Sequence, residues 1–197
     1  MRLWRHDCSV ADTVLETPRL VLRRFRDDDF APWLAHLNSP EVRAHLGGVD
    51  PEGKVAEKFA RQKDDWAEDR GGWLAVERKT DGEFLGYCGF GEISAEAAPP
   101  RLLGKPEIGW ALRADCWGRG YATEAALAVL AMAFGRFGLP EVCSQTSGAN
   151  RNSWRLMERL GMERAEEFDH HDPAYPPEEN PTKVYRLTRA AWDARHG

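Results

Sequence analysis

The chain is poor in cysteine: four in 197 residues, none spaced as C-x-x-C. Cys8, Cys88, Cys116 and Cys143 are scattered, which argues against a disulfide framework and a zinc site and fits a reducing, cytoplasmic setting. No uncharged apolar run approaches the ~18 residues of a transmembrane helix, so no membrane span is expected. The opening Met1 to Asp12 carries charges throughout and lacks the apolar core of a signal peptide. There is no excess of basic residues: 27 Lys+Arg against 32 Asp+Glu give a net charge of −5. That leaves no electrostatic footprint for nucleic acid. Internal repeats and low-complexity tracts are also missing. What remains is the composition of a globular domain, 42% hydrophobic and 30% charged. At ~100–200 residues per domain, one domain is expected, able to bury roughly 70% of its unfolded surface without staples.

Residues 1–13 read as a leader. Arg19 to Phe25 alternates like a strand. Asp27-Asp28-Asp29 opens a helix through Phe30, Trp33, Leu34 and Leu37, its acids suited to the positive end of the helix dipole. Asn38-Ser39-Pro40 is a stop and a new start. A charged helix is expected over about 52–69, with Val55, Phe59, Lys63 and Trp66 on one side. Trp73 to Arg78, a turn at Thr80-Asp81-Gly82, Glu83 to Phe90 and Pro106 to Leu112 read as an antiparallel meander. A helix follows from about Tyr121 to Phe137, with Ala122, Ala126, Val129, Ala133 and Phe137 at helical spacing. A strand at Glu141 to Thr146, a short helix from Asn152 to Leu160 capped by Gly161, and strands at Met162 to Phe168 and Lys183 to Leu187 complete the order β-α-α-β-β-β-α-β-α-β-β. This is an α/β domain of three layers around a mixed sheet.

Two segments carry the chemistry. Trp117-Gly118-Arg119-Gly120-Tyr121-Ala122-Thr123-Glu124 follows a strand and opens a helix. Its glycines allow the backbone close to a ligand, the amides of the first helical turn point outward as donors, and Arg119 adds a charge. Such a place binds a phosphate or diphosphate; taken alone, it is equally a tight turn into a buried helix. It is neither a Rossmann fingerprint, since Thr123 stands where the third glycine belongs, nor a Walker loop. The second segment is Asn150 to Met162. Asn150 reads alone as a helix N-cap, and Leu156, Met157 and Leu160 read as core. Side by side, the two β-turn-α units would form a cleft for one extended ligand with a diphosphate at one end.

The string Glu107-Ile-Gly-Trp-Ala-Leu112, then Trp117 to Ala122, then Asn150-x-x-Ser153 and Leu160-Gly-Met162, resembles the GNAT superfamily of N-acetyltransferases. Within it, Glu16-Thr-Pro-Arg-Leu-Val-Leu-Arg23 and Tyr185-Arg-Leu-Thr-Arg189 are similar to the ribosomal-protein N-terminal (Rim-type) branch. The resemblance covers residues 14–192, leaving 193–197 as a tail. It implies a mixed, mainly antiparallel sheet with a splayed central strand pair, and acetyl-CoA as acetyl donor. Trp117, Gly118, Arg119, Gly120, Tyr121, Ala122 and Thr123 would hold the diphosphate, with Trp117 at a position usually occupied by Gln or Arg. Trp110, Ala111 and Leu112 would splay from Val142 to Thr146, the pantetheine arm adding itself as a strand. An N–H near Leu112 would hold the oxyanion, and Asn150 would contact the arm.

An ammonium has no lone pair, so a base must take a proton from the acceptor. The resemblance points to Glu107 for this, with a surface ion pair as its plain alternative. Met157 stands where many members carry a tyrosine, so Ser153, four residues earlier on the same helical face, is the candidate to serve the leaving thiolate. Cys116 is the one cysteine placed to tempt a ping-pong reading, and direct transfer in a ternary complex is preferred. Glu166 to Thr182 carries six acids and no Lys or Arg, which near the acceptor would favour a cationic amine. His170 and His171 could assist there, but adjacent side chains point apart and no metal is expected. Trp33, His36, Trp66 and Trp73 are candidates to line the acceptor pocket, with core packing as the alternative for the tryptophans. The acceptor is expected to be a peptide N-terminus or a small cationic amine, and the protein a monomer or homodimer. Two other readings stay open: a non-catalytic acyl-CoA-binding or sensory module, and a dinucleotide-binding protein.

Overall fold

The computed structural model describes residues 12–66 and 70–197. Its sheet has eight strands in the order β1-β2-β3-β4-β5-β6-β8-β7. They are β1 (Thr13–Glu16), β2 (Leu20–Arg23), β3 (Trp73–Arg78), β4 (Phe84–Glu92), β5 (Pro106–Leu112), β6 (Glu141–Ser147), β7 (Glu163–Arg164) and β8 (Thr182–Thr188). Every neighbouring pair is antiparallel except β5 and β6. The expected meander is β3-β4-β5.

Alternation along the strands divides the core between two faces. Leu20, Leu22, Leu74, Val76, Leu85 and Ile108 pack beneath α4 (Tyr121–Gly135) and α5 (Arg151–Arg159). α4 is apolar on most of its circumference because the sheet covers one side and α6 (Arg189–His196) another, Trp192 stacking on Phe134 at 5.5 Å. On the opposite face Phe25, Trp33, Leu37, Val55, Phe59, Ala75 and Phe84 gather under the N-terminal helices. These are the turns Asp27–Asp29, α1 (Phe30–Pro32) and Trp33–Leu37, followed by α2 (Pro40–Arg43) and α3 (Glu52–Asp64).

A buried ion triad ties these helices to the sheet. Arg23 on β2 donates to both carboxylate oxygens of Asp29, at 2.7 and 2.8 Å, and its Nε donates to Glu77 on β3 at 2.7 Å. Asp29 also accepts the N–H of Arg26 at 2.8 Å. Burial opposes the charge on Arg23, but the two carboxylates win and raise its pKa. The acids expected at a helix start therefore do more than complement its dipole, since the third of them holds an arginine inside the protein.

Several expectations change. The expected helix over 52–69 stops at Asp64, with 67–69 outside the described residues. The expected strand Met162 to Phe168 pairs only at Glu163 and Arg164 before a 3₁₀ turn, Glu166–Phe168. Ala165 and Phe168 are both buried, three residues apart, so the segment follows a 3₁₀ period and not a strand's period of two. Two elements were not anticipated, β1 and α6. Of the expected leader, residues 1–11 lie outside the described residues and Thr13 already opens β1. No helix among the described residues is long and apolar enough to cross a membrane.

Replacing Asp29 by Ala strands the Arg23 guanidinium with half its partners. The expected cost is about 3 kcal/mol of unfolding free energy, measured by urea denaturation. A loss below about 1 kcal/mol, the range of a surface pair, would contradict this role.

Candidate active site

β5 and β6 run parallel but pair at a single register position, Glu107 with Cys143, and then diverge. The direction of the unpaired groups follows from β4. Arg113 N–H bonds Leu85 C=O at 2.8 Å, and Ile93 N–H bonds Lys105 C=O at 3.0 Å. Odd-numbered residues of β5 therefore turn both backbone groups to β4, in the continuous register that pairs Gly86 with Leu112 and Cys88 with Trp110. Trp110 and Leu112 turn theirs the other way, toward the space that β6 has left. The fork opens into a cleft of about 920 Å³ lined by Glu107 to Leu112, by Ser144, Gln145 and Thr146, by the loop before α4 and by α5.

The loop closes one end of the cleft. Trp117 donates its indole N–H to the Leu112 carbonyl at 2.8 Å, which folds the loop back on the strand and leaves its ring about half exposed. Gly118 and Gly120 have φ of +74° and +79°, in the left-handed region that a side chain disfavours, and nothing lies within 4 Å of where a Gly118 Cβ would be. The first helical bond of α4 runs from Glu124 N–H to Gly120 C=O, and no side chain caps the start. The amides of Tyr121, Ala122 and Thr123 precede that bond at the positive end of a 15-residue helix.

The approach is held by a clamp that was not foreseen. Glu124 accepts from Thr17 Oγ1 at 2.6 Å, Arg19 N–H at 2.9 Å and Arg19 Nε at 2.6 Å, while Arg19 Nη1 donates to the Arg119 carbonyl at 2.9 Å. Burial pushes the Glu124 carboxyl up, but these hydrogen bonds prevail and hold it below its usual value. Arg119 thus contributes its backbone to the loop, and its side chain does not line the cleft. Trp110, Ala111, Leu112, Trp117, Gly118, Gly120, Tyr121, Ala122, Thr123, Asn150, Ser153 and Glu107 all do.

Glu107 sits at the apex of the fork. Burial pushes its carboxyl up to about 7, opposed by a hydrogen bond from Gln145. The other end of that amide, Gln145 Oε1, is buried without a hydrogen-bond partner among the described residues. Asn150 is the N-cap expected of it: its Oδ1 accepts Ser153 N–H at 3.2 Å and its Nδ2 donates to Thr146 Oγ1 at 3.1 Å. The same residue lines the cleft, so the cap and the site are one feature. Met157 is buried in the core.

The three described cysteines are held toward the thiol form. Burial and the Asp115 carboxylate raise the Cys116 thiol, burial raises Cys88, and burial with Glu141 lifts Cys143 to about 11. Cys8 lies outside the described residues. The acidic stretch is largely engaged within the protein: Asp169 with Arg164, Glu167 with Arg186 at 3.8 Å, and Glu179 with His45 at 2.9 Å and the Ser147 hydroxyl. His45 lines the cleft, so this stretch meets the site through Glu179. His170 Nδ1 lies 3.1 Å from the Phe168 carbonyl. Among the described residues no three His, Cys, Asp or Glu side chains are grouped to hold a metal.

Of the candidate aromatics, Trp73 lines the cleft and meets Tyr87 edge-on at 5.6 Å, while Trp33 is buried and stacks on Tyr87 at 4.9 Å. Trp66 packs against the core and His36 does not line the cleft. Sequence reasoning missed Tyr87, His45 and Gln145. Only Gln145 left a signal, as a long polar side chain inside a buried strand.

The profile of the family described as the acetyltransferase (GNAT) domain matches residues 19–163. The uncharacterized protein YkkB of Bacillus subtilis is 31% identical over 154 residues, 77% of this chain and 86% of that one. The N-acetyltransferase YoaA of the same organism, itself uncharacterized, is 26% identical over 156 residues, 77% of this chain and 83% of its own. Among solved structures, an acetyltransferase from Agrobacterium tumefaciens superposes with a TM-score of 0.70 at 30% identity, over 88% of this chain and 92% of that one. With its forked sheet and glycine-led helix, the chain belongs to the GNAT acetyltransferases, enzymes that use acetyl-CoA.

Proposed function

We propose that the chain, through residues 14–192, transfers the acetyl group of acetyl-CoA to a primary amine by direct attack in a ternary complex. The observation that carries this is the fork: a carboxylic acid at its apex, strand-edge amides along one side and a glycine-led helix start at its end. An extended chain with amide groups fits the unpaired edge at Trp110 and Leu112, and a diphosphate fits the amides at Gly118, Gly120 and Tyr121 to Thr123, with Trp117 packing over them. Asn150 contacts the pantetheine arm. The Leu112 N–H is free of β4 and stabilises the oxyanion at the thioester carbonyl.

Glu107 acts as the base. A carboxyl near pH 7 is poised to take a proton from the acceptor, directly or through water, and Gln145 supports its charged form. Ser153 offers its hydroxyl to the leaving thiolate. Raised thiol pKa values disfavour an acyl-enzyme at cysteine. The acceptor is a peptide N-terminus, as the Rim-type resemblance suggests, or a small cationic amine, for which Glu41 in the cleft wall and Glu179 behind His45 supply negative charge. The three described cysteines, free and buried, suit a reducing cytoplasm, as monomer or homodimer.

Acetyl-CoA and CoA should raise the melting temperature, and NAD and ATP should not. Stabilisation by NAD alone contradicts the reading. Gly120→Glu, adding bulk and negative charge at the helix start, should abolish CoA binding by calorimetry while the protein remains folded by circular dichroism; retained micromolar affinity refutes the placement of the diphosphate. Because the base must be deprotonated, kcat/KM should rise with pH through an inflection near 7. Glu107→Gln should lose that inflection and about 10²-fold in kcat. An unchanged profile in Glu107→Gln removes Glu107 as the base.

A further inference from the structure

A second cavity, of about 190 Å³, adjoins the cleft and shares Leu46, Tyr87 and Ala111 with it. Ala111 stands on the same face of β5 as Glu107, four residues along, so the cavity opens beside the acetyl-transfer site on the side of the N-terminal helices. Its floor is aromatic, Trp33 stacked on Tyr87. Its wall is cationic: Arg43, Lys58 and Arg61 line it with the single carboxylate of Asp50.

That carboxylate is already outnumbered. Arg43 Nη2 reaches it at 2.9 Å, Lys54 Nζ at 2.8 Å and Lys58 Nζ at 2.5 Å. Burial raises the Asp50 carboxyl, but the three cations prevail and hold it down at about 2. Asp50 is therefore ionised across the whole working range and neutralises only one of them. Arg61, one turn beyond Lys58 on the same side of α3, is exposed and forms no ion pair among the described residues. Gln62 beside it presents a buried Oε1 with no hydrogen-bond partner among the described residues. A pocket with surplus positive charge and one spare acceptor suits a ligand that carries both an anionic group and N–H donors.

We infer that this side pocket binds a carboxylate carried by the acceptor amine. The inference rests on the transferase reading and deepens it: the acceptor is an amino acid or a peptide N-terminus with an acidic side chain, and a polyamine is disfavoured. Arg61 and Lys58 receive the carboxylate, Gln62 Oε1 takes an N–H, and the amine is directed past Ala111 toward Glu107.

The test compares matched acceptors by CoA release at one pH. The α-amides of glutamate and glutamine, which differ only in the side-chain carboxylate, probe the single amino acid, and the dipeptide amides of Glu-Ala, Gln-Ala and Lys-Ala probe the peptide terminus. In at least one series the acid-bearing member should have a kcat/KM about tenfold or more above its neutral partner, roughly the value of one charge-assisted contact. In Arg61→Glu that ratio should fall to one or below. Preference for the Lys peptide, or a ratio that survives Arg61→Glu, overturns the inference and leaves the transferase reading standing. A readout independent of turnover is the melting temperature with CoA present. Glutarate should raise it in the wild type and not in Arg61→Glu. Stabilisation of this kind without acetylation of any amine would sink the transferase reading and keep the pocket; no stabilisation in the wild type sinks the pocket.

Discussion

The structure depends on two neighbouring strands that fail to pair. β5 and β6 meet at Glu107 and Cys143 and then separate, although each is fully paired on its other side. In an ordinary sheet the N–H and C=O groups of Trp110 and Leu112 would be bonded across the ladder. Trp117 satisfies the Leu112 carbonyl, but buried polar groups left without partners cost free energy, so the other groups along this edge call for water or a ligand that bonds in the strand's place. The same divergence places Glu107 at the apex, lining the cleft yet buried enough for its carboxyl to rise toward neutrality.

The rest of the site makes that opening specific. Trp117 bends the loop back onto the Leu112 carbonyl, and the Arg19–Glu124 clamp anchors α4 to the turn between β1 and β2. The helix start is thereby fixed at one end of the fork without a capping side chain over its amides. Asn150 plays the corresponding part for α5, tying the helix to Thr146 on the far side of the cleft. On the N-terminal side the buried triad of Arg23, Asp29 and Glu77 locks the helical layer against β2 and β3, and this layer supplies Trp33, which stacks on Tyr87 of β4, and the cationic wall of the smaller cavity beside the cleft.

Much of this was legible in the residues. Alternation marked β2, short apolar runs bounded by turn signals marked β3 to β6 and β8, several of which bury both faces, and helical spacing marked α3 and α4. Gly118 and Gly120 announced a helix start without a cap, and Asn150 announced one with a cap. The failures have physical causes. β1 is a four-residue edge strand whose sequence, Thr-Val-Leu-Glu, is too short to show a period. The segment from Met162 to Phe168 combines two paired residues with a 3₁₀ turn, and its apolar positions fit neither simple period. The ion triad, the Arg19–Glu124 clamp and the Asp50 cluster were illegible because their partners lie far apart in the chain or, for Asp50, because a local run of charges does not reveal its convergence.

The central claim concerns two amides, and amide hydrogen exchange resolved by residue reads them directly. Without ligand, Trp110 and Leu112 should exchange much faster than Gly109 and Ala111, whose groups face β4. Saturation with acetyl-CoA should slow both by at least about tenfold, the effect of one backbone hydrogen bond formed. Binding that left those two amides exchanging at their original rates, or that found them already protected in the free protein, would contradict the account.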